Sequence, residues 1–323
     1  MKKVFMIMIS MLLVISMCIP SYAVSTSNKN EVSGFELEIV KGIAKLQNKS
    51  VDEQAKAILE KAGMSQKMIE MVPESELSEI ADCVSVRLQD EYYLVGEDEE
   101  FELISYDDYL NEKELLGNVS TYAQGDSYNY SDNDSLLKKT LAIFETKNAP
   151  KGTFGVMAGY EWINFKARFR GKDVLSFSSE ALVFDKSTFS LSVELTKIIN
   201  RQNIESKVET EYEEYTPSNI ENNDLKLGEN GIAMLYNLKG NVYTSTYSIV
   251  YSKAAFLMIC KGRVSQYDSP CVFNVYGNYF HQKIGLGSVG VSVSLKGASV
   301  SVSPKPIYTQ CQICTSSPIT YRP

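Results

Sequence analysis

The sequence predicts a mainly β protein, with a C-terminal antiparallel β-sandwich preceded by a small N-terminal helical region and a β-hairpin. Three observations predict this fold. Side chains alternate with a period of two, or are β-branched and aromatic, in roughly ten short segments between residues 136 and 303. Turn-forming residues separate these segments, and a helical period is confined to residues 31–82. Many short strands with hardly a helix among them are typical of a sandwich.

Residues 1–23 have the three parts of a secretory signal peptide. Lys2 and Lys3 precede an apolar run over residues 4–19, and Pro20 leads to a small-residue exit at residues 21–23. The apolar run is shorter than the roughly 20 residues that a membrane-spanning helix needs. We therefore expect a secreted protein, extracellular or associated with the cell envelope, whose mature chain begins near Val24.

Residues 24–105 are expected to form the small helical region and the hairpin. Ser50 and Glu53 have the spacing of a capping box, in which each side chain satisfies a backbone N–H of the first helical turn. Two more short helices are expected around Met68 and after Pro73. The period then changes to two on either side of an acidic turn at residues 96–100, which predicts the hairpin.

Residues 106–135 are rich in Asp, Asn, Ser, Gly and Tyr and show no period, so we interpret them as a linker. The sandwich is expected over residues 136–303, interrupted by a polar, acidic break at residues 200–230. Residues 304–323 complete the chain as a C-terminal tail. The sequence therefore predicts two structured regions after the signal peptide.

One hairpin can be placed in register from residue types alone. Apolar residues share one parity in residues 289–295 and the opposite parity in residues 298–302. A two-residue turn at residues 296–297 would bring every apolar side chain to one face and every serine to the other. The pairs that this turn predicts are Leu295 with Ala298, Val293 with Val300, and Val291 with Val302.

The disulfide candidates are Cys260, Cys271, Cys311 and Cys314, because an exported chain permits cysteines to pair. If residues 254–261 pair with residues 271–277, Cys260 lies opposite Cys271 and a disulfide can form between them. Cys311 and Cys314 have half the spacing of a zinc ribbon but lack a second pair. A local disulfide near the chain end is the preferred interpretation, and we predict no metal site.

The chain is acidic, with a formal net charge of −8 at pH 7, and loss of the two signal-peptide lysines makes it more so. Such a chain is a poor partner for nucleic acid or for an anionic membrane unless it hides a basic patch. The nearest to one is the alternating set Lys166, Arg168, Arg170 and Lys172. Its ordinary interpretation is a solvated strand face, and the alternative is a small site for an acidic ligand.

His281 is the only histidine, which excludes metal sites that need several histidines. Its place at the end of a predicted strand, without a nucleophile motif nearby, favours a structural role. Trp162 and Tyr160 lie in another predicted strand, where their rings could stack on a sugar or pack in the core. We predict no catalytic residue and no cofactor, and the ligand-binding candidates are Tyr160, Trp162, Arg168 and Arg170.

Three stretches resemble uncharacterised exported proteins of Gram-positive bacteria. They are the helical residues 55–65, the strand residues 159–162, and residues 273–282 with their Tyr279-Phe280-His281 ending. The resemblance would cover both structured regions. It implies secretion and a C-terminal β-sandwich, and it transfers no active site.

The leading functional hypothesis is a secreted, non-enzymatic sandwich that binds a glycan or a cell-surface protein. One alternative is a membrane-active toxin or antimicrobial, suggested by the Ser/Val/Gly alternation over residues 288–303. Membrane insertion is disfavoured, because strands of about seven residues fall short of the 9–11 needed to span a bilayer. The other alternative is a hydrolase, which would need two carboxylates held across a cleft.

Overall fold

The computed structural model describes residues 34–37, 50–96, 99–119, 135–146, 149–165, 171–202, 204–220, 224–228, 230–282, 288–294, 297–303, 308–311, 313–316 and 318–323. Three layers stack on one another in this part of the chain: short helices, a large antiparallel sheet and a smaller antiparallel sheet. The mainly β fold predicted from the sequence, with a sandwich preceded by helices and a hairpin, is confirmed.

Four helices are described: α1 (Val51–Lys61), α2 (Gln66–Glu70), α3 (Glu74–Ala81) and α4 (Tyr106–Val119). The capping box predicted at Ser50 and Glu53 is present at the start of α1, with both reciprocal hydrogen bonds formed. Helices as short as α1, α2 and α3 are marginal alone. Their apolar residues, including Leu59, Met68 and Ile80, are buried together against the large sheet, which stabilises them.

The strands, in chain order, are β1 (Gly34–Leu37), β2 (Cys83–Val95), β3 (Phe101–Ile104), β4 (Ser135–Thr146), β5 (Thr153–Ile163), β6 (Lys172–Ser179), β7 (Leu182–Arg201), β8 (Ile204–Tyr215), β9 (Leu225–Gly228), β10 (Gly231–Asn237), β11 (Val242–Tyr243), β12 (Tyr247–Val264), β13 (Cys271–Phe273), β14 (Val275–Gln282), β15 (Ser288–Ser294), β16 (Gly297–Ser303), β17 (Tyr308–Gln310), β18 (Cys314–Thr315) and β19 (Ile319–Tyr321).

The large sheet has the order β1-β2-β4-β5-β12-β7-β8, with β3 beside β2 and β11 beside β12. The smaller sheet has the order β17-β14-β6-β10-β9, with β18 beside β14. Two further pairs, β13 with β19 and β15 with β16, complete the described strands. All of these pairings are antiparallel.

The central strands of the large sheet are buried on both faces. In β12, Phe256 and Met258 point into the sandwich core, whereas Leu257 and Ile259 pack under the helices. A strand that is buried on both faces carries apolar side chains on both faces. Its sequence is therefore a nearly continuous apolar run and does not alternate between polar and apolar residues. This burial explains the composition of β4, β5 and β12.

The structure differs from the expected linker over residues 106–119, and residues 120–134 lie outside the described residues. Residues 106–119 form α4, which begins at a Ser105 side chain that accepts a hydrogen bond from the Asp108 N–H. Strand β2, from the N-terminal region, pairs along its length with β4, the first strand of the expected sandwich. The helical region and the sandwich therefore share one continuous sheet.

The acidic break expected at residues 200–230 is also wrong in part. Residues 204–215 form β8, which pairs with β7 at the end of the large sheet. The strand is mostly exposed, so its side chains lack the buried apolar face that would mark a core strand. Its glutamates are paired instead: Glu211 contacts Lys197 at 2.5 Å and Lys239 at 2.8 Å.

The hairpin expected at residues 289–302 forms, but in another register. The observed pairs are Val293 with Ala298, Val291 with Val300, and Val289 with Val302, with Ser294 opposite Gly297 at the turn. This register differs from the predicted one by two residues. Because side chains alternate with a period of two, such a shift keeps valine opposite valine or alanine, and the parity pattern cannot distinguish the two registers.

The strand pairing expected to join Cys260 to Cys271 is wrong. Strand β12 lies between β5 and β7, with Cys260 opposite Val156, whereas Cys271 in β13 lies opposite Tyr321. Cys311 and Cys314 also carry free thiols. Each is held by a different contact with β14, since the Cys311 N–H donates to the Tyr279 carbonyl and Cys314 pairs with Gly277.

Candidate functional site

Two of the four ligand-binding candidates lie in the sandwich core. Tyr160 is fully buried and its hydroxyl donates to the Asn278 carbonyl at 2.8 Å. Trp162 is also buried, and its Nε1 donates to the Tyr279 hydroxyl at 3.1 Å. These rings join the two sheets and offer no exposed platform. Arg168 and Arg170 lie outside the described residues.

His281 belongs to a buried polar cluster around Asp173. The Asp173 side chain is fully buried and accepts hydrogen bonds from the Tyr279 hydroxyl and from the Gln282 N–H. His281 Nδ1 lies 3.1 Å from one of its oxygens. Asp173 is 0% exposed and His281 is 6% exposed. The geometry of the cluster therefore fits a role in holding the core together.

A second buried polar cluster lies around Glu91. Its Oε2 atom accepts a hydrogen bond from the Tyr93 hydroxyl at 2.6 Å and forms an ion pair with Lys139 Nζ at 3.1 Å.

The thiols of Cys311 and Cys314 are buried. Burial raises the pKa of both Cys311 and Cys314 well above the ordinary thiol value. Neutral, enclosed thiols are poor nucleophiles, so these cysteines are structural in character.

The best-formed cleft in the described structure lies beside α3, and we call it the α3 cleft. It encloses about 590 Å³. Helix α3 and the residue after it supply one wall, and the ends of β4, β5, β7 and β12 supply the other. The polar residues lining it are Ser78, Glu79, Asp82, Thr146, Thr153, Asp185, Thr188, Lys261 and Arg263.

Strand register brings the sheet residues of the α3 cleft together. Arg263 lies opposite Thr153 on β5 and opposite Val183 on β7. Lys261 lies opposite Asp185, next to an irregularity where β7 carries extra residues between Asp185 and Ser190. Thr188 lies in this bulge, and its hydroxyl accepts a hydrogen bond from the Lys261 N–H at 2.9 Å. Bulges of this kind commonly redirect side chains near functional sites.

Lys261 joins the sheet wall of the α3 cleft to the helix wall. Its Nζ lies 2.6 Å from Glu79 Oε1 and 3.6 Å from Glu76 Oε2. Burial lowers the pKa of Lys261, but the hydrogen bond to Glu79 and the two carboxylate charges outweigh burial and leave that pKa raised. Burial raises the pKa of Glu76, and the Lys261 charge only partly offsets this effect. Among the described residues, no group donates a hydrogen bond to the buried Oε2 of Glu79.

The remaining charged side chains of the α3 cleft are also held in place. The Ser187 hydroxyl and N–H both donate to Asp185 Oδ1, at 2.7 and 2.9 Å, and these bonds lower the pKa of Asp185. Arg263 Nε donates to the Lys151 carbonyl, and its guanidinium carbon lies 3.9 Å from the centre of the Tyr267 ring. Stacking on an aromatic ring limits the freedom of a guanidinium.

A second groove, of about 640 Å³, lies between α2–α3 and strands β7 and β8. We call it the acidic groove, because its lining includes Glu70, Glu74, Glu194, Glu213 and Glu214. Glu194 forms an ion pair with Lys67. The described residues lining the groove include neither lysine nor arginine, whereas the α3 cleft combines both signs of charge, so the α3 cleft is the stronger candidate site.

The local sequence pattern did not point to the α3 cleft. Its charged residues come from distant parts of the chain, with more than a hundred residues between Asp82 and Lys261. The one local signal was the alternation of Lys261 and Arg263 at a strand end, which is ordinary for a solvated strand. Only the strand pairing of β5, β7 and β12 brings the set together.

Comparison with known proteins finds no matching family and no matching curated protein. Among solved structures, the collagen-binding domain of a Staphylococcus aureus adhesin matches 46% of this chain and 86% of its own, at 13% identity and a TM-score of 0.20. The collagen-binding subdomain of the Enterococcus faecalis surface protein ACE matches 50% and 89%, at 11% identity and a TM-score of 0.20.

Clostridium perfringens delta-toxin matches 73% of this chain and 87% of its own, at 5% identity and a TM-score of 0.22. These likenesses are too slight to place the chain with the adhesins or with the toxin. Within the described residues, no helix combines the length and the apolar character needed to cross a membrane.

Proposed function

We propose that the protein is an exported, non-enzymatic binding protein whose α3 cleft takes a carbohydrate. The observation that carries this proposal is the lining of the cleft, where three carboxylates, two cations and four hydroxyls surround about 590 Å³. That volume is within the usual range for small-ligand sites. The leader at residues 1–23 supports export, because its three parts match a signal peptide.

The hydrogen-bonding groups of the cleft suit a ligand with many hydroxyls. Each sugar hydroxyl both donates and accepts, so it needs acceptors and donors close to each other. Glu79, Asp82 and Asp185 supply acceptors, whereas Arg263 and the threonine hydroxyls supply donors. The buried Oε2 of Glu79, which has no donor among the described residues, would gain one from a bound hydroxyl. A buried acceptor without a donor costs free energy, so this contact would favour binding.

A purely anionic or cationic ligand fits the cleft less well. Lys261 is already balanced by Glu79 and Glu76, and Asp185 lies opposite it in the sheet. A charged ligand would meet groups of both signs at short range. A neutral polar ligand avoids this repulsion and can use both kinds of group.

Glycan arrays followed by calorimetry with a selected oligosaccharide test the proposal. Asp82→Asn and Arg263→Ala each remove one binding group at the rim, and we expect either change to weaken affinity by about tenfold. Glu214→Gln, in the acidic groove, serves as the matched control and should leave affinity unchanged. Failure of the protein to bind any arrayed glycan, or equal affinity in all four proteins, would contradict the proposal.

The same experiment separates binding from hydrolysis. A carboxylate hydrolase needs two acidic groups in one cleft with their pKa values driven apart. Burial raises the pKa of Glu76 and Ser187 lowers that of Asp185, but Glu76 is not among the residues lining the α3 cleft. We therefore expect the bound oligosaccharide to be recovered intact. New reducing ends after incubation would instead show catalysis.

A further inference from the structure

Among the strands that the structure describes, β8 is the last strand at one end of the large sheet. It pairs with β7 on one side, from Tyr215 opposite Leu191 to Ile204 opposite Arg201. On its other side, no strand of the described structure pairs with it. At 12 residues it is long for an edge strand. Proteins usually shorten, cover or charge such edges, because an open edge is a template for another strand.

Three large apolar side chains are exposed along β8 at intervals of four residues. Ile204 is 63% exposed, Val208 64% and Tyr212 72%. Even-numbered residues of a strand share one face, and a four-residue interval spans about 13 Å. Within the described residues, the Lys67 ammonium lies 6.0 Å from the centre of the Tyr212 ring, whereas Ile204 and Val208 remain largely exposed. Such an apolar row is the composition expected where two strands meet.

Most charged residues of β8 lie on its opposite face, whereas Glu214 lies on the face of the apolar row. Lys207 and Glu209 form an ion pair at 2.7 Å. Glu211 contacts both Lys197 and Lys239, so its charge is balanced within the chain. One face of the strand thus carries the apolar row, and the other face carries most of its charges, of both signs.

We propose that β8 binds β8 of a second copy of this chain, in antiparallel register about a two-fold axis through Val208. This register places Val208 opposite Val208 of the second copy and Ile204 opposite Tyr212. On the other face it places Lys207 opposite Glu209 and Glu205 opposite Glu211. The two large sheets would become one continuous sheet across the axis.

The pattern of β8 favours a second copy over an unrelated strand. The row Ile204, Val208 and Tyr212 is symmetric about its centre, so antiparallel pairing about Val208 matches all three positions at once. The opposite charges of Lys207 and Glu209 also meet twice, once on each side of the axis. The like charges of Glu205 and Glu211 do not oppose the pairing strongly, because two lysines already contact Glu211. A two-fold interface uses the same patch on both copies and closes after two chains.

Sedimentation velocity of the purified protein over the micromolar to sub-millimolar range tests the proposal. We expect a monomer–dimer equilibrium that Val208→Lys shifts at least tenfold toward monomer, since two cations would then meet on the axis. Val272→Lys is the matched control, because Val272 is 64% exposed on β13, away from β8. Circular dichroism of each variant shows that it is folded.

A charge exchange and a cross-link test the register. Lys207→Glu and Glu209→Lys should each weaken the dimer, whereas the double variant should restore it because both charge pairs across the axis are exchanged. Val208→Cys should give a disulfide-linked dimer under mild oxidation, and Val272→Cys should not. A protein that stays monomeric at all concentrations overturns the proposal, as does a dimer that Val208→Lys leaves intact. Association of β8 only with a different protein would show that the edge serves another partner.

Discussion

At the scale of single residues, Asp173 explains how polar groups are accommodated between the two sheets. Its carboxylate is fully buried, yet the Tyr279 hydroxyl and the Gln282 N–H donate to it and His281 Nδ1 lies within hydrogen-bond distance. The Tyr279 hydroxyl in turn accepts from Trp162 on the large sheet. A buried carboxylate is tolerated only with such partners, and here those partners also join the sheets.

We expect Asp173→Asn to destabilise the protein by about 3 kcal/mol, because it removes a buried charge from partners arranged to meet it. Urea unfolding followed by the fluorescence of Trp162, the only tryptophan, measures the loss. Asp268→Asn, at an exposed aspartate of the turn before β13, is the control and should change the free energy of unfolding by less than about 0.5 kcal/mol. Equal effects of the two substitutions would show that the Asp173 cluster contributes little.

The sequence indicated part of this cluster. A single histidine at a strand end, without a nucleophile motif, favoured a structural role for His281, and the structure buries it beside Asp173. The sequence could not predict that Asp173 belongs to the cluster, because His281 lies 108 residues further along the chain. Tyr160 and Trp162 were ambiguous for a similar reason, since an aromatic ring on a strand fits a core and a binding platform equally well.

At the scale of elements, Gly155 shows how β4 and β5 fit together. Gly155 lies directly opposite Phe144, and the Phe144 ring covers the space where a side chain would be. A Cβ atom built on Gly155 would lie 1.9 Å from Phe144 Cζ. Phe144 is buried under the helices, so it cannot move away freely.

Gly155→Ala should therefore destabilise the protein by about 1–3 kcal/mol through overpacking. The double variant Gly155→Ala with Phe144→Leu should recover part of that loss, because the smaller side chain leaves room for the new methyl group. Thermal unfolding of the two single variants and the double variant measures the coupling. Strictly additive effects would show that the ring and the glycine do not constrain each other.

Local sequence patterns predicted which segments form helices and strands more accurately than they predicted which strands pair with each other. The capping box fixed the start of α1, and the alternation on either side of the acidic turn predicted the pairing of β2 with β3. Partner choice depends on contacts far apart in sequence, which is why the pairing proposed for Cys260 and Cys271 was wrong. Strand β8 was missed because its period-two pattern has no buried face.

At the scale of the whole molecule, the helical layer depends on the large sheet for both its apolar and its polar contacts. Met68 packs against Gly159 of β5, where an added Cβ would lie 2.9 Å from the Met68 sulfur. Lys261 of β12 forms ion pairs with Glu79 and Glu76 of α3. Lys261 and Glu79 also line the α3 cleft, so the stability of the helical layer and the shape of the candidate site are linked.

The free energy of unfolding is expected to depend on pH, because Glu76 of α3 is buried and can ionise. Burial raises the pKa of Glu76 above its ordinary value of 4.5. Below that value the carboxyl is protonated in both the folded and the unfolded chain, and its contribution to stability is fully present. As the pH rises through the raised pKa, the folded protein must ionise a buried group, and that contribution is lost.

Glu76→Gln keeps the shape of the protonated carboxyl and cannot ionise. We therefore expect this variant to match the original protein in acid and to be more stable at neutral pH, with the difference growing across the interval above pH 4.5. Urea unfolding at a series of pH values measures it. Glu74→Gln, an exposed position on the same helix, removes the same charge without burial and serves as the control. If Glu76→Gln lost stability at neutral pH instead, the ion pair with Lys261 would outweigh the burial of Glu76, and the helical layer would owe its attachment to charge rather than to apolar packing.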